Sequence, residues 1–95
     1  MNRTQQTKCR KIAEHYGISS QETQAISELS ELLQVLTRRN GQRGADWKSD
    51  LIDEMADVNV MIQQLCTLHG ISRDELNERI TFKLDRQLER IRNGE

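Results

Sequence analysis

Apolar residues recur along this chain with a helical period, and glycines and polar clusters cut the pattern into four stretches. Between Gln5 and His15 the apolar positions are sparse, with Ile12 and Ala13 inside and Tyr16 just beyond, and Gly17 follows. That spacing predicts a short, weakly anchored helix. Ser19-Ser20-Gln21-Glu22 has the form of a capping box, in which a serine hydroxyl and a glutamate satisfy free amides at a helix start. A second helix is therefore expected from about Ser20. Its apolar positions Ala25, Ile26, Leu29, Leu32, Leu33 and Leu36 follow i, i+3, i+4, i+7, and Arg38-Arg39-Asn40-Gly41 ends it.

The stretch from Arg39 to Trp47 holds two glycines and no period, so it reads as a loop. A third helix is predicted over Lys48 to Leu68, about 31 Å long at about 1.5 Å per residue. Leu51, Ile52, Met55, Ala56, Val58, Val60, Met61, Ile62, Leu65, Cys66 and Leu68 spread around most of its circumference, which calls for burial on more than one side. A chain of 95 residues has too little else to cover it, and a homodimer at least is expected. Gly70 stops this helix, and Ser72-Arg73-Asp74-Glu75 is a second capping box. The fourth helix carries Leu76, Ile80, Leu84, Leu88 and Ile91, and the short turn before it predicts an antiparallel hairpin of the third and fourth helices.

Composition narrows the class to all-α. Proline is absent and aromatics are 3%, which leaves little for a sandwich or barrel. The length fits one domain. A net charge of −1 and a pI near 6.1 favour neither nucleic acid nor an anionic membrane as partner. Met1 to Lys11 is polar and no run reaches the roughly 20 apolar residues of a membrane span, so a cytosolic protein is expected. Cys66 falls in the most apolar stretch and is expected to pack as a small hydrophobe, whereas Cys9 lies in a polar one. Neither cysteine has zinc-site spacing to His15 or His69, which read as helix-end residues.

Four acids stand out against this background. Glu28-x-x-Glu31 and Glu54-x-x-Asp57 each put two carboxylates on one helix face, where they repel one another. Most charges on helices are simply solvated, but Glu54 and Asp57 sit where apolar coverage is widest and little solvent-facing arc remains. Two facing helices would converge the four acids, and a hard cation such as Mg²⁺ or Mn²⁺, with oxygen-only ligands, would relieve the repulsion. Asp50 and Asp53 flank the same face. On the fourth helix Arg79, Lys83, Arg86 and Arg90 form a basic ridge, suited to phosphate oxygens or to pairing with Glu75, Glu78, Asp85 and Glu89. Trp47 is placed to stack on a base or, alternatively, to staple the chain at a helix start. Gln24, one turn before Glu28, is placed to hydrogen-bond a nucleotide base or sugar.

The run Gln24-x-x-x-Glu28-Leu-x-Glu31-Leu, followed by Asp53-Glu54-Met-Ala-Asp57-Val, resembles the MazG-like all-α nucleotide pyrophosphatases. The resemblance continues through Ile62-x-x-Leu65, Gly70 and Phe82-Lys83-Leu84-x-Arg86-x-Leu88-x-Arg90-Ile91, covering about 16–92. It implies a fold that dimerises into a four-helix bundle, often pairing again into tetramers. It implies Mg²⁺-dependent cleavage of nucleoside triphosphates between the α and β phosphates, with Glu28, Glu31, Glu54 and Asp57 as metal ligands and catalytic acids. Lys83 and Arg86 would be the phosphate contacts. Ser27 stands where many relatives carry a further acid, which leaves the chain to bind fewer metals, to work slowly, or to rely on Asp53 or Asp50 in its place. The rival reading is a non-catalytic dimeric helical interaction module. A di-iron carboxylate protein would need E-x-x-H elements, and the chain has none.

Overall fold

The computed structural model describes residues 1–38 and 40–94, and among them there are three α-helices and no strand. Helix α1 runs Arg3–Thr37, α2 Trp47–His69 and α3 Arg73–Arg92, with a 3-10 turn at Asn40–Gln42. No helix is long and apolar enough to cross a membrane.

Helix α1 is two helical segments merged across a break at Gly17, whose φ of 84° lies in the left-handed region that favours glycine. The break fits the two predicted helices, but the second resumes directly after the glycine instead of at the serine pair. The first segment is far from weakly anchored. Asn2 and Gln5 form a reciprocal capping box at its start, and Cys9 and Ala13 are buried. An Asn-x-x-Gln signature in the sequence carries that signal.

The second segment ends at Thr37 with Arg38 as its cap, at the start of the expected stop signal, and side chains from the loop and from the first residue of α2 take up its last carbonyls. Trp47 Nε1 donates to Val35 O at 2.9 Å, Arg43 Nε to Arg38 O at 2.9 Å and Arg43 Nη2 to Leu36 O at 3.4 Å. The Arg43 guanidinium also lies 4.0 Å from the Trp47 ring centre. Trp47 therefore ties the start of α2 to the end of α1. Arg39, part of the expected stop signal, lies outside the described residues.

The second segment of α1 and α2 lie antiparallel. Val35 meets Trp47, Arg38 meets Asp50, and at the other end Gln21 pairs with Gln64 and Glu22 with His69. Ala25, Val35 and Met61 are the buried apolar residues along this pair.

The expected hairpin of the third and fourth helices is not formed. Helix α3 makes almost no contact with α1 or α2 and buries no residue. Its start is well made: Gly70 closes α2 at φ 65°, and Ser72 and Glu75 form the expected capping box. Extended backbone at Ser72 and a hydrogen bond from Arg73 to Met1 O accompany its departure from α2. Ile80, Leu84, Leu88 and Ile91 consequently remain exposed, as do Ile26, Leu29, Leu33 and Leu36 on α1 and Met55 and Ile62 on α2.

Candidate metal centre

Halfway along the α1–α2 pair, facing positions carry acids. The i, i+3 spacing places Glu28 and Glu31 on successive turns of α1, and Glu54 and Asp57 do the same on the antiparallel α2. One carboxylate oxygen from each of the four lies within 4.8 Å of the others. Glu28 and Glu54 are half-buried, Glu31 and Asp57 exposed.

The two inner acids show the electrostatic conflict. Glu28 Oε2 and Glu54 Oε2 are shielded from solvent and have no hydrogen-bond partner, a state that is costly for a carboxylate oxygen. Burial, then the Glu28 charge and a hydrogen bond with Glu28, pushes the Asp57 carboxyl above its ordinary range. Among the described residues no lysine, arginine or histidine forms an ion pair with any of the four acids; the nearest such pair along the helices is Arg38–Asp50 at 2.9 Å. The donor set is all oxygen and anionic, and two of its atoms lack a partner. It fits a hard divalent cation.

Neighbouring residues divide into those that support this cluster and those that do not reach it. Gln24 Nε2 donates to Glu28 Oε1 at 2.7 Å, so its amide orients a cluster member. Asp50 is held by Arg38, which leaves exposed Asp53 as the flanking acid with no ion pair among the described residues. Trp47 has its N–H on Val35 and one face against Arg43. Lys83 and Arg86 lie on α3 and are not brought beside the acids within one protomer; Arg86 instead sits 5.9 Å from the Phe82 ring. The buried Gln21–Gln64 pair, two turns away along both helices, is not marked by hydrophobic patterning. Its signal was available, because Gln21 lies four residues before Ala25 and Gln64 three after Met61 on the core stripes.

Neither a protein-family model, nor a curated protein, nor a solved structure matches this chain. The geometry of the acids carries the functional reading.

Proposed function

We propose that this protein is a Mg²⁺-dependent nucleoside triphosphate pyrophosphohydrolase, converting NTP or dNTP and water to the monophosphate and pyrophosphate, and that it works as a homodimer or higher oligomer. The observation that carries the reading is the convergence of four carboxylates with two buried, partnerless oxygens. Glu28, Glu31, Glu54 and Asp57 hold the cation, Mg²⁺ or Mn²⁺, in this reading. Once bound, it supplies positive charge against the triphosphate and lowers the pKa of water.

The chain's own residues do the rest. Gln24 fixes the Glu28 carboxylate by its amide hydrogen bond. A carboxylate at the edge of the cluster accepts the proton of the attacking water as the oxygen joins the α-phosphorus and pyrophosphate leaves. Asp53 is the acid available to stand in for the one that Ser27 replaces. Lys83 and Arg86 serve the phosphates in the assembled oligomer.

Surface area supports an oligomer. A compact monomer of this mass, 11.1 kDa, exposes about 5,700 Å², whereas this protomer exposes 7620 Å². The excess of about 2,000 Å² per chain falls in the range that permanent interfaces cover. The same exposed apolar faces favour the rival interaction module, and one experiment separates the two. Pyrophosphate release from canonical and modified nucleotides is followed with and without Mg²⁺, for the wild type and for Glu54→Ala with Asp57→Ala. The enzyme reading expects a loss of at least about 1,000-fold on removing both ligands. Absence of turnover and of Mg²⁺ binding by calorimetry in the wild type would defeat it.

A further inference from the structure

From the acids toward the Gly17 break, both segments of α1 and the facing turns of α2 border a cleft of about 360 Å³. Gln21 and Gln64 line it while only 4% and 2% exposed, and Gln64 Nε2 donates to Gln21 Oε1 across the helix pair. A glutamine amide carries two N–H donors and a carbonyl acceptor. Each residue spends one polar group on the other, which leaves the Gln21 amide nitrogen and the Gln64 carbonyl oxygen without a protein partner. Among the described residues the partnerless side-chain atoms sealed from solvent belong to Glu28 and Glu54. The two spare glutamine groups are therefore not sealed, and the opening beside them is the cleft. Turning both amides over together exchanges their roles but still leaves one donor beside one acceptor.

The rest of the wall says what such a pair would hold. Ile12, Tyr16 and Met61 add apolar surface, and among the described residues no charged side chain lines the cleft, so it suits an uncharged group and not a phosphate. Its volume is at the low end of the range for small-molecule sites, about 300–1,000 Å³, which is room for one ring system. Gln24 lines the cleft and donates to Glu28 Oε1 at 2.7 Å, so cleft and acid cluster share a wall. Gln21 precedes Glu28 by two turns, about 10 Å along α1, a gap for a ribose and its first phosphate. We propose, on the footing of the pyrophosphohydrolase reading, that this cleft is the base pocket of the nucleotide. The Gln21–Gln64 pair hydrogen-bonds the Watson–Crick edge, and Tyr16, 59% exposed, gives its ring to the base. Uracil and guanine present C=O beside N–H on that edge, cytosine and adenine an amino group beside a ring nitrogen. Because the amide pair offers either order, the pocket takes both kinds and requires only the paired edge.

The test uses free nucleosides, without phosphate or Mg²⁺, and follows the backbone and side-chain amide signals of the full chain by NMR. Uridine should shift the Gln21 and Gln64 side-chain signals, and N3-methyluridine, whose donor is blocked, should bind at least about 10-fold more weakly. Gln21→Leu with Gln64→Leu, which keeps the volume filled, should weaken uridine by a similar factor. Tyr16→Ala, at an exposed position, should do so about 5-fold or more, with helical circular dichroism unchanged in both variants. Equal binding of uridine and N3-methyluridine, no shift of either glutamine, or wild-type affinity in the folded double variant overturns the pocket. Pyrophosphate release that persists in those cases leaves the activity standing, whereas uridine binding with no release from any nucleotide faults the activity and keeps the pocket.

Discussion

The α1–α2 pair and α3 are built from equally clear helical signals, yet one is packed and the other stands alone. In the pair, facing stripes meet and bury Ala25, Val35 and Met61. Helix α3 starts as well as α1 does, each with a reciprocal capping box, yet α3 buries nothing. The difference teaches that caps and propensity fix where a helix forms, whereas a complementary apolar face fixes where it goes. The radius of gyration, 16.2 Å, against about 12 Å for a compact chain of this length, reflects how far α3 stands from the pair.

Breaking α3's stripe is the strongest way to test the contrast. Leu84→Glu with Leu88→Glu should leave α1–α2 folded but disperse the oligomer to an 11.1 kDa species in light scattering. Each fully buried leucine contributes about 1.5–3 kcal/mol, counted on every copy, so association should weaken by several powers of ten. An unchanged oligomer would show that α3 stays exposed in the assembly.

Within the packed pair the expected effects are smaller and local. Met61, 6% exposed, touches the centre of the core, and Met61→Ala should cost about 2–5 kcal/mol in chemical denaturation. Next to it, Gln64→Leu removes the amide that donates to Gln21 and leaves a buried polar group unsatisfied, at about 1–3 kcal/mol. Adding Gln21→Leu should recover most of that loss, because two apolar side chains of similar size need no partner. A double-mutant cycle with no recovery would mean the pair is not coupled.

Much of this was legible in the sequence. The Gly17 break, the Ser72–Glu75 cap and the placement of the four acids on facing helices all follow from local rules: a left-handed turn needs glycine, a free amide needs an acceptor, and i, i+3 residues share a face. The errors have one common cause. The sequence around them points to Cys66 as the more buried cysteine, whereas Cys9 is, because the packing of α1's first segment on the end of α2 is decided by tertiary contact and not by neighbours in sequence. The hairpin of α2 with α3 failed likewise. A short loop permits a return but does not compel one. Arg38–Asp50 and Arg43–Trp47 also escaped prediction, since loop side chains follow no period.

The smallest effect concerns Asp57, and its sign distinguishes a strained acidic cluster from a solvated one. Burial and the Glu28 charge raise its folded carboxyl above the ordinary 3.8. The folded state therefore binds its proton more tightly than the unfolded chain does. The resulting stabilisation is fully present below the unfolded pKa and is lost as pH rises through the folded one. In EDTA, Asp57→Asn should match the wild type near pH 3.5 and melt at a higher temperature by about pH 7. The gap should be modest, because Asp57 is exposed and solvent screens it. Mg²⁺ should narrow it at pH 7 by stabilising the wild type, which keeps all four oxygens, more than the variant. A variant less stable than wild type at pH 7 in EDTA would show that the acids do not repel one another, and the main physical motive for a cation between α1 and α2 would go with it.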